Sequence, residues 1–187
     1  MILRAVCVAG MLIGPAVAQA NSLGVALSND AARFEFQTTY TGLGLNNADL
    51  AFSITYNDDN DWLGGAQLSV FGDAAAAGSG LHAGAGVSLV VGDAGGEDLL
   101  AIGLGARIRY IFPEANRFAI TAQGYFAPEI TAFLDSEGYS DWSVQGEYEL
   151  TRNAHVFVGY RAIEVELDRR SDVDVEKGMY VGLKLIF

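Results

Sequence analysis

The chain has two histidines, His82 and His155, which limit the acid–base chemistry that it could perform. A hydrolase or acyltransferase would use such a histidine to activate a serine, with an acid or amide orienting the ring. Both histidines begin predicted β-strands, and the sequence offers no plausible catalytic triad around either. We therefore expect them to line an interior or an interface, and we expect the protein not to be an enzyme.

Asn57, Asp59 and Asp61 have the i, i+2, i+4 spacing of oxygen ligands for calcium. The glycine and the distant glutamate of a full calcium loop are missing, so the preferred interpretation is a solvated turn. No metal or cofactor site is predicted. A looser role stays open, in which acidic loops collect divalent cations. The pairs Gly84-x-Gly86 and Gly103-x-Gly105 lack the strand-turn-helix context of a phosphate loop and are interpreted as small inward residues.

The elements that would position these residues are short runs in which apolar side chains alternate with small or charged ones. Leu100, Ile102 and Leu104, for example, alternate with Gly103 and Gly105. Such alternation indicates strands with two different faces. Strands are predicted near 22–28, 31–40, 49–57, 62–71, 81–92, 99–112, 118–133, 141–150, 155–167 and 175–187, with a bulge at Pro128.

The composition indicates which kind of β-protein this is. Hydrophobic residues make up 51% of the chain and the mean hydropathy is +0.24, although the formal net charge is −12. Beyond residue 20, no apolar run approaches the 18 or so residues that a helical span needs. Only a closed barrel can present strands to lipid with every backbone group paired. The sequence therefore predicts an all-β fold, an integral outer-membrane antiparallel up-and-down β-barrel of about 10 strands, with 8 as the alternative.

The first twenty residues read as a targeting segment. Arg4 gives a positive start, an apolar stretch follows over 5–14, and Ala18-Gln19-Ala20 is a small-x-small cleavage site. We predict a cleaved signal peptide over 1–20 and a single barrel domain over 21–187. The only cysteine, Cys7, lies in that segment, so no disulfide is expected. The strongly acidic balance argues against nucleic acid as a partner.

The predicted connections sort by charge, and this sorting gives an orientation. In bacterial barrels both chain ends lie in the periplasm. The connections that would then face outside, including 57–61, 92–98 and 134–141, hold most of the loop carboxylates. We expect outer-membrane lipids and lipopolysaccharide as partners, with divalent cations at these acidic loops. Both histidines would lie at the periplasmic rim, the wrong end for chemistry on outer-leaflet lipid.

One set of charged residues shares the parity of the small, inward-facing side chains. Charges buried in a narrow barrel are costly unless they are paired, so we expect this set to form a network inside the lumen. The set, called here the predicted lumen set, is Arg33, Glu35, Arg107, Arg109, Glu147, Glu149, Arg161 and Lys184. Its role is interpreted as structural filling, with a conducting or gating role as the alternative.

The last nine residues, MYVGLKLIF, alternate in the same way and end on an aromatic residue. Outer-membrane barrels are typically delivered to the barrel-assembly machinery by a C-terminal strand of alternating apolar residues ending in Phe. We interpret Met179, Val181, Leu183, Leu185 and Phe187 as that assembly signal. Phe187 would also join the aromatic girdle at the periplasmic side.

Several segments resemble the YfaZ family: the stretch LGVALSNDAARFEF over 23–36, FAPEI over 126–130, VGYRAI over 158–163 and VGLKLIF over 181–187. Members of that family are predicted outer-membrane proteins of Gram-negative bacteria without an assigned activity. The resemblance therefore implies the same membrane location, and it carries no catalytic residues.

These patterns predict a small outer-membrane barrel with a structural or surface-interaction role and a mostly filled, charged lumen. A porin-like channel would be wider, since open porins use about 16 to 18 strands and eight strands leave an interior that side chains fill. A narrow channel for small solutes or ions is the alternative. An outer-membrane lipid-modifying enzyme is a third class, and the sequence gives it no triad.

Overall fold

The structure, a computed structural model, describes residues 21–42, 45–75, 78–134, 136–167 and 172–187. The predicted signal peptide, 1–20, lies outside the described residues. The strands are β1 (Ser22–Ser28), β2 (Ala31–Gly42), β3 (Leu45–Asn57), β4 (Trp62–Asp73), β5 (Leu81–Ala94), β6 (Glu97–Ile111), β7 (Phe118–Ala127), β8 (Ala132–Leu134), β9 (Ser136–Thr151), β10 (Ala154–Leu167) and β11 (Val173–Ile186). Over the described ranges, no helix has the length and apolar character that a membrane crossing requires.

The strands close into one antiparallel barrel of ten strands, as the alternation predicts. The closing contact joins β1 to β11, from Ser22 opposite Ile186 to Ser28 opposite Tyr180. The eight-stranded alternative is wrong because the chain reverses between β1 and β2 over Ser28–Ala31. There the Ser28 hydroxyl accepts a hydrogen bond from the Ala31 amide at 2.9 Å. Every strand except the three-residue β8 pairs with two neighbours, so no long edge is left unpaired.

The seventh strand position of the barrel is interrupted at Pro128. Strand β7 ends at Ala127, a single 3₁₀ turn covers Glu129–Thr131, and β8 then resumes pairing with β6 beside Leu99–Ala101. Proline has no amide hydrogen to donate and cannot continue the ladder. The predicted strand 118–133 is therefore divided into β7 and β8, which together occupy one position in the barrel. For this reason the ten strand positions of the barrel contain eleven strands.

The two ends of the barrel differ. One end, called here the terminal end, brings the two chain ends together: the Asn21 amide donates to the Phe187 carbonyl at 3.0 Å, and the Phe187 amide donates back at 2.9 Å. The opposite end, called the closed end, carries the turns at 29–30, 58–61 and 95–96 and the 3₁₀ turn at 129–131. This arrangement places the two histidines toward the terminal end.

Alternation places apolar side chains on the outside of the barrel. Successive strand residues point to opposite faces, so one residue in two is presented outward. The exposed large apolar side chains include Leu23, Phe34, Phe52, Val87, Ile102, Leu104, Ile108, Ile120, Trp142, Val144, Val158, Val181 and Leu183. Most of their strand neighbours are small, polar or charged and face the lumen.

Candidate functional site

The lumen holds the residues that could carry function. Six of the predicted lumen set line a cavity inside it: Arg33, Glu35, Arg107, Arg109, Arg161 and Lys184. Glu147 is buried against two of them, and Glu149 shares its parity on β9. The structure thus places the whole set on the inward face, but it divides these residues among several clusters.

Glu147 is the centre of the cluster nearer the terminal end. Its carboxylate is 2% exposed and lies 2.9 Å from a guanidinium nitrogen of Arg109 and 2.6 Å from the Lys184 ammonium. Nδ1 of His155 lies 2.9 Å from the same carboxylate. These partners come from β6, β11 and β10, so a single acid on β9 connects four strands. Charge-assisted bonds of this kind are shorter and stronger than neutral ones.

Arg161 is the centre of a second, more deeply buried cluster. Its Nε lies 3.5 Å from Asp141 and one terminal nitrogen lies 3.9 Å from Glu176, on the two neighbouring strands. The guanidinium also lies 5.3 Å from the centre of the Tyr180 ring, a cation–π contact. All three charged residues are less than 5% exposed. Neither Asp141 nor Glu176 belongs to the predicted lumen set, although each has the same parity as a member on its own strand.

Arg33 and Glu35 form a smaller pair on β2. Arg33 donates to the Thr55 hydroxyl at 3.0 Å and lies 3.5 Å from the Glu35 carboxylate. Arg33 is 7% exposed, so it is almost wholly enclosed by the wall. Both side chains face the same cavity.

Two members of the predicted lumen set stand apart from these ion pairs. Arg107 donates to the Gln123 side-chain oxygen at 2.9 Å and lies over the Phe71 ring at 5.2 Å. Within the described part of the chain, neither Arg107 nor Glu149 lies within ion-pair distance of an opposite charge. The expected single network is therefore a set of separate clusters.

Toward the closed end the lumen is filled by apolar side chains. This group, called here the apolar layer, is almost inaccessible to solvent, with Ile163 and Val165 at 0% and Leu99 and Val175 at 2%. The full layer is Leu63, Val90, Ala94, Leu99, Ala101, Ala127, Tyr139, Ile163, Val165, Leu167 and Val175, with Val173 packed against it. A shift in register between Ile163 and Glu164 brings both Val175 and Glu176 inside. Parity does not show this shift, so the sequence did not predict the inward position of Val175.

The turn at 57–61 is part of this closure. Asn57 donates to the Asp61 carboxylate at 3.0 Å and to the Val175 carbonyl at 3.1 Å, and the Asp61 amide donates back at 2.8 Å. Asp61 also accepts from the Gly95 amide at 2.8 Å. The expectation of a solvated turn is wrong for Asn57 and Asp61, which are 3% and 4% exposed, whereas Asp58 and Asp59 are exposed. Over the described ranges, acidic, histidine and cysteine side chains form no group able to hold a metal ion.

The two histidines each contact an acid. Nδ1 of His82 lies 3.0 Å from Asp73 near the terminal end, and His155 contacts Glu147 as described. Gly103 and Gly105 lie within β6, where a β-carbon on Gly105 would collide with the Tyr125 ring. That glycine therefore makes room for an inward aromatic residue rather than for a phosphate.

The residues interpreted as the assembly signal all lie on the outward face of β11 or just after it. Their exposed fractions range from 43% at Leu183 to 66% at Phe187. Phe187 lies beside Asn21 at the terminal end, where the two residues exchange backbone hydrogen bonds.

Fold and lumen together define the class: a small, closed, ten-stranded antiparallel β-barrel with an apolar outer surface and a charged, partly filled interior. The family model described as YfaZ precursor matches residues 1–187, and the chain belongs to the YfaZ family. None of the curated proteins matches the chain. One solved structure, from work described as "Unveiling the Mechanism Behind the in-meso Crystallization of Membrane Proteins", is similar at 10% identity over 90% of this chain and 83% of that one, with a TM-score of 0.47. A likeness at that TM-score supports no argument about this chain.

Proposed function

We propose that the protein is a small outer-membrane barrel with a structural or surface-interaction role and no wide aqueous pore. The observation that carries this proposal is the combination of an apolar outer surface with a lumen that the apolar layer closes at one end. In water, so large an exposed apolar area would promote aggregation. In a bilayer the same side chains face lipid, and the closed barrel satisfies its backbone hydrogen bonds internally.

The proposed orientation places the terminal end in the periplasm and the closed end at the cell surface. Bacterial barrels keep both chain ends on the periplasmic side. The closed end then presents exposed acids at its turns, among them Asp58 and Asp59. These carboxylates suit contacts with lipopolysaccharide through bridging divalent cations. The proposed partners are therefore outer-membrane lipids, lipopolysaccharide and, during insertion, the barrel-assembly machinery.

A role without catalysis is part of the proposal. Within the described residues, each histidine has a carboxylate at hydrogen-bond distance, and neither is hydrogen-bonded to a serine hydroxyl. Both lie toward the terminal end, away from the outer leaflet in the proposed orientation. A serine nucleophile needs a base within reach.

Membrane fractionation combined with gel mobility tests the location. We expect the protein in the outer-membrane fraction, with a folded band that shifts on heating. Recovery as a soluble periplasmic protein would contradict the proposal. Epitope tags inserted at 58–59 should be labelled on intact cells, whereas tags at 114–115 should be labelled only after permeabilisation. The reverse result would invert the orientation.

A narrow channel is the second candidate, and the lumenal cavity favours it. Its volume of about 400 Å³ shows that side chains do not fill the whole interior. Planar-bilayer recording separates the two candidates, because a barrel sealed by the apolar layer should give silence or rare, small events. Steady porin-sized conductance would refute the closed lumen. Conductance that appears only in Arg107→Ala or Glu147→Ala would identify the charged lumenal residues as a gate.

A further inference from the structure

The cavity in the lumen has a wall of unusual composition. It has a volume of about 400 Å³, which is within the range of small-molecule pockets. The space exists because β1 contributes only Ser22, Gly24 and Ala26 to that side of the wall. A row of such small side chains across from long arginines leaves a volume that the arginines border without filling.

The wall carries more positive than negative side chains. Five cations line the cavity, namely Arg33, Arg107, Arg109, Arg161 and Lys184, against two carboxylates, Glu35 and Asp49. Asp49 already accepts a hydrogen bond from Gln37 at 3.0 Å. The other lumenal acids, Asp141, Glu147, Glu149 and Glu176, are not part of this lining. An anion in the cavity would therefore meet mainly cations.

Some of the cationic donors have no partner. The Nε of Arg33 is buried without a hydrogen bond, and the Nε of Arg161 has only the 3.5 Å ion pair with Asp141, which falls short of hydrogen-bond geometry. Arg107 has an amide and an aromatic ring as its neighbours and, among the described residues, no carboxylate within ion-pair distance. A buried donor left unsatisfied is costly, and more so when it is charged. The terminal nitrogens of Arg107, which lines the cavity, are therefore the donors most available to a ligand with acceptor oxygens.

Access to the cavity is from the terminal end. Exposure rises in that direction, from 5% at Arg161 to 19% at Lys184, 30% at Arg109 and 37% at His82. In the other direction the apolar layer blocks the lumen. As far as the described residues show, the cavity is therefore blind, with one mouth beside the chain ends.

We propose that this cavity binds a small oxyanion, a molecule with one or more carboxylate or phosphate groups, entering from the terminal end. Guanidinium groups match such oxygens because their planar forks bind two of them at once. In the orientation proposed above, the ligand would come from the periplasm. The binding step itself does not depend on the membrane location, so it stands or fails independently of the proposed function.

Titration calorimetry on the refolded barrel in a non-ionic detergent tests the site. Citrate and pyrophosphate serve as the carboxylate and phosphate probes, with chloride at equal ionic strength as the blank. We expect saturable binding of one anion per barrel by at least one probe, and the stronger probe identifies the ligand chemistry. Absence of heat with both probes would overturn the proposal.

A charge variant and its matched control locate the binding. Arg107→Gln should weaken binding about tenfold or more, because a hydrogen bond to a charged group contributes about 1.5–3 kcal/mol and each 1.4 kcal/mol is tenfold. Arg152→Gln removes the same charge from an exposed turn at the same end and should leave affinity unchanged. Equal losses in both variants would show binding to the general surface, which contradicts a lumenal site.

A filling variant tests the cavity without altering charge. A β-carbon at Gly24 would meet its nearest neighbours at 3.8–4.0 Å, so the wall accepts a side chain there and the remainder would occupy the cavity. We expect Gly24→Val to abolish binding. Gly124→Val is the matched control, since its β-carbon would meet only Trp142 at 3.8 Å on the outward face. Gel mobility shows whether each variant is folded, and undiminished binding by folded Gly24→Val would refute the site.

Discussion

The two ends of this lumen exclude or admit water by different means. Toward the closed end, Ile163, Val165 and their neighbours fill the lumen with hydrocarbon, and the buried bonds of Asn57 fasten a turn above them. Toward the terminal end, arginines and a lysine surround a cavity and meet carboxylates on other strands. The same alternating strands therefore enclose two different interiors. The half filled by the apolar layer is called here the dry half, and the half that contains the charged cavity is called the wet half.

The difference between the two halves also explains why charged side chains are tolerated inside the barrel. A buried ion pair is costly because both ions lose water. Beside the cavity, Arg109 and Lys184 keep 30% and 19% of their surface, so they are only partly dehydrated. The apolar half offers no such relief. We therefore expect substitutions in the dry half to cost more than those in the wet half.

The largest effect is expected from Ile163→Ala. Ile163 is 0% exposed and the surrounding wall is held by strand pairing, so the space left cannot collapse. Removing such a side chain costs about 2–5 kcal/mol, and we expect about 4 kcal/mol here. Urea unfolding in lipid vesicles measures it. Ile102→Ala is the matched control on the outward face, where fluid acyl chains can fill the gap, and equal losses would contradict a packed lumen.

Asn57→Ala should be the next in size. Its side chain satisfies the Asp61 amide, the Asp61 carboxylate and the Val175 carbonyl, all in a buried setting. Each buried group left without a partner costs about 1–3 kcal/mol, and rearrangement of the turn should hold the total near 3 kcal/mol. The exposed neighbour variant Asp59→Ala should change the free energy of unfolding by less than about 0.5 kcal/mol. A cost below that of Asp59→Ala would show that the turn does not fasten the closed end.

Glu147→Gln probes the wet half. It removes the carboxylate that faces Arg109, Lys184 and His155. Breaking a fully buried pair costs about 3–5 kcal/mol, but these cations can turn toward the cavity, so we expect about 2 kcal/mol. Glu149→Gln, which changes an acid two residues along β9, should cost little. A loss larger than that of Ile163→Ala would reverse the ranking of the two halves.

The sequence predicted the wet half better than the dry half. Strict alternation placed all eight charged residues of the predicted lumen set on the inward side of the strands, because side chains two residues apart in a strand point to the same face. The same parity also included Asp49, Asp141 and Glu176, which the prediction omitted. The sequence did not predict which of these side chains would pair. Glu147 contacts Lys184 across an intervening strand, and residue spacing along the chain does not reveal such a contact.

Most of the apolar layer, including Leu99, Ile163 and Val165, has the inward parity of its strand, and a change of register hid only part of the dry half. Val173 and Val175 read as part of a turn and a strand start, and only the shift beside Ile163 brings Val175 into the lumen next to Glu176. Asn57 and Asp61 likewise read as solvated because acids near a strand end usually are. Their burial depends on Val175 and Gly95, more than 30 residues away in sequence for each contact. Nonlocal contacts of this kind cannot be derived from local patterns.

The smallest effect on stability is expected at the rim of the wet half, from Phe187→Ala. Phe187 is 66% exposed to the surroundings of the barrel, and its two backbone bonds to Asn21 do not depend on its side chain. The free energy of unfolding should therefore change by less than about 1 kcal/mol, as for substitutions away from packed features. The amount of folded barrel in the membrane should nevertheless fall, because the proposed assembly signal ends on this aromatic ring. Quantifying the heat-shifted band in cells, beside refolding of the purified variant, separates the two quantities. Leu185→Ala is the control within the same face, and it should weaken the signal less than loss of the final aromatic. Normal cellular levels of folded Phe187→Ala would contradict the assembly role, and β11 would then be an ordinary strand of the barrel.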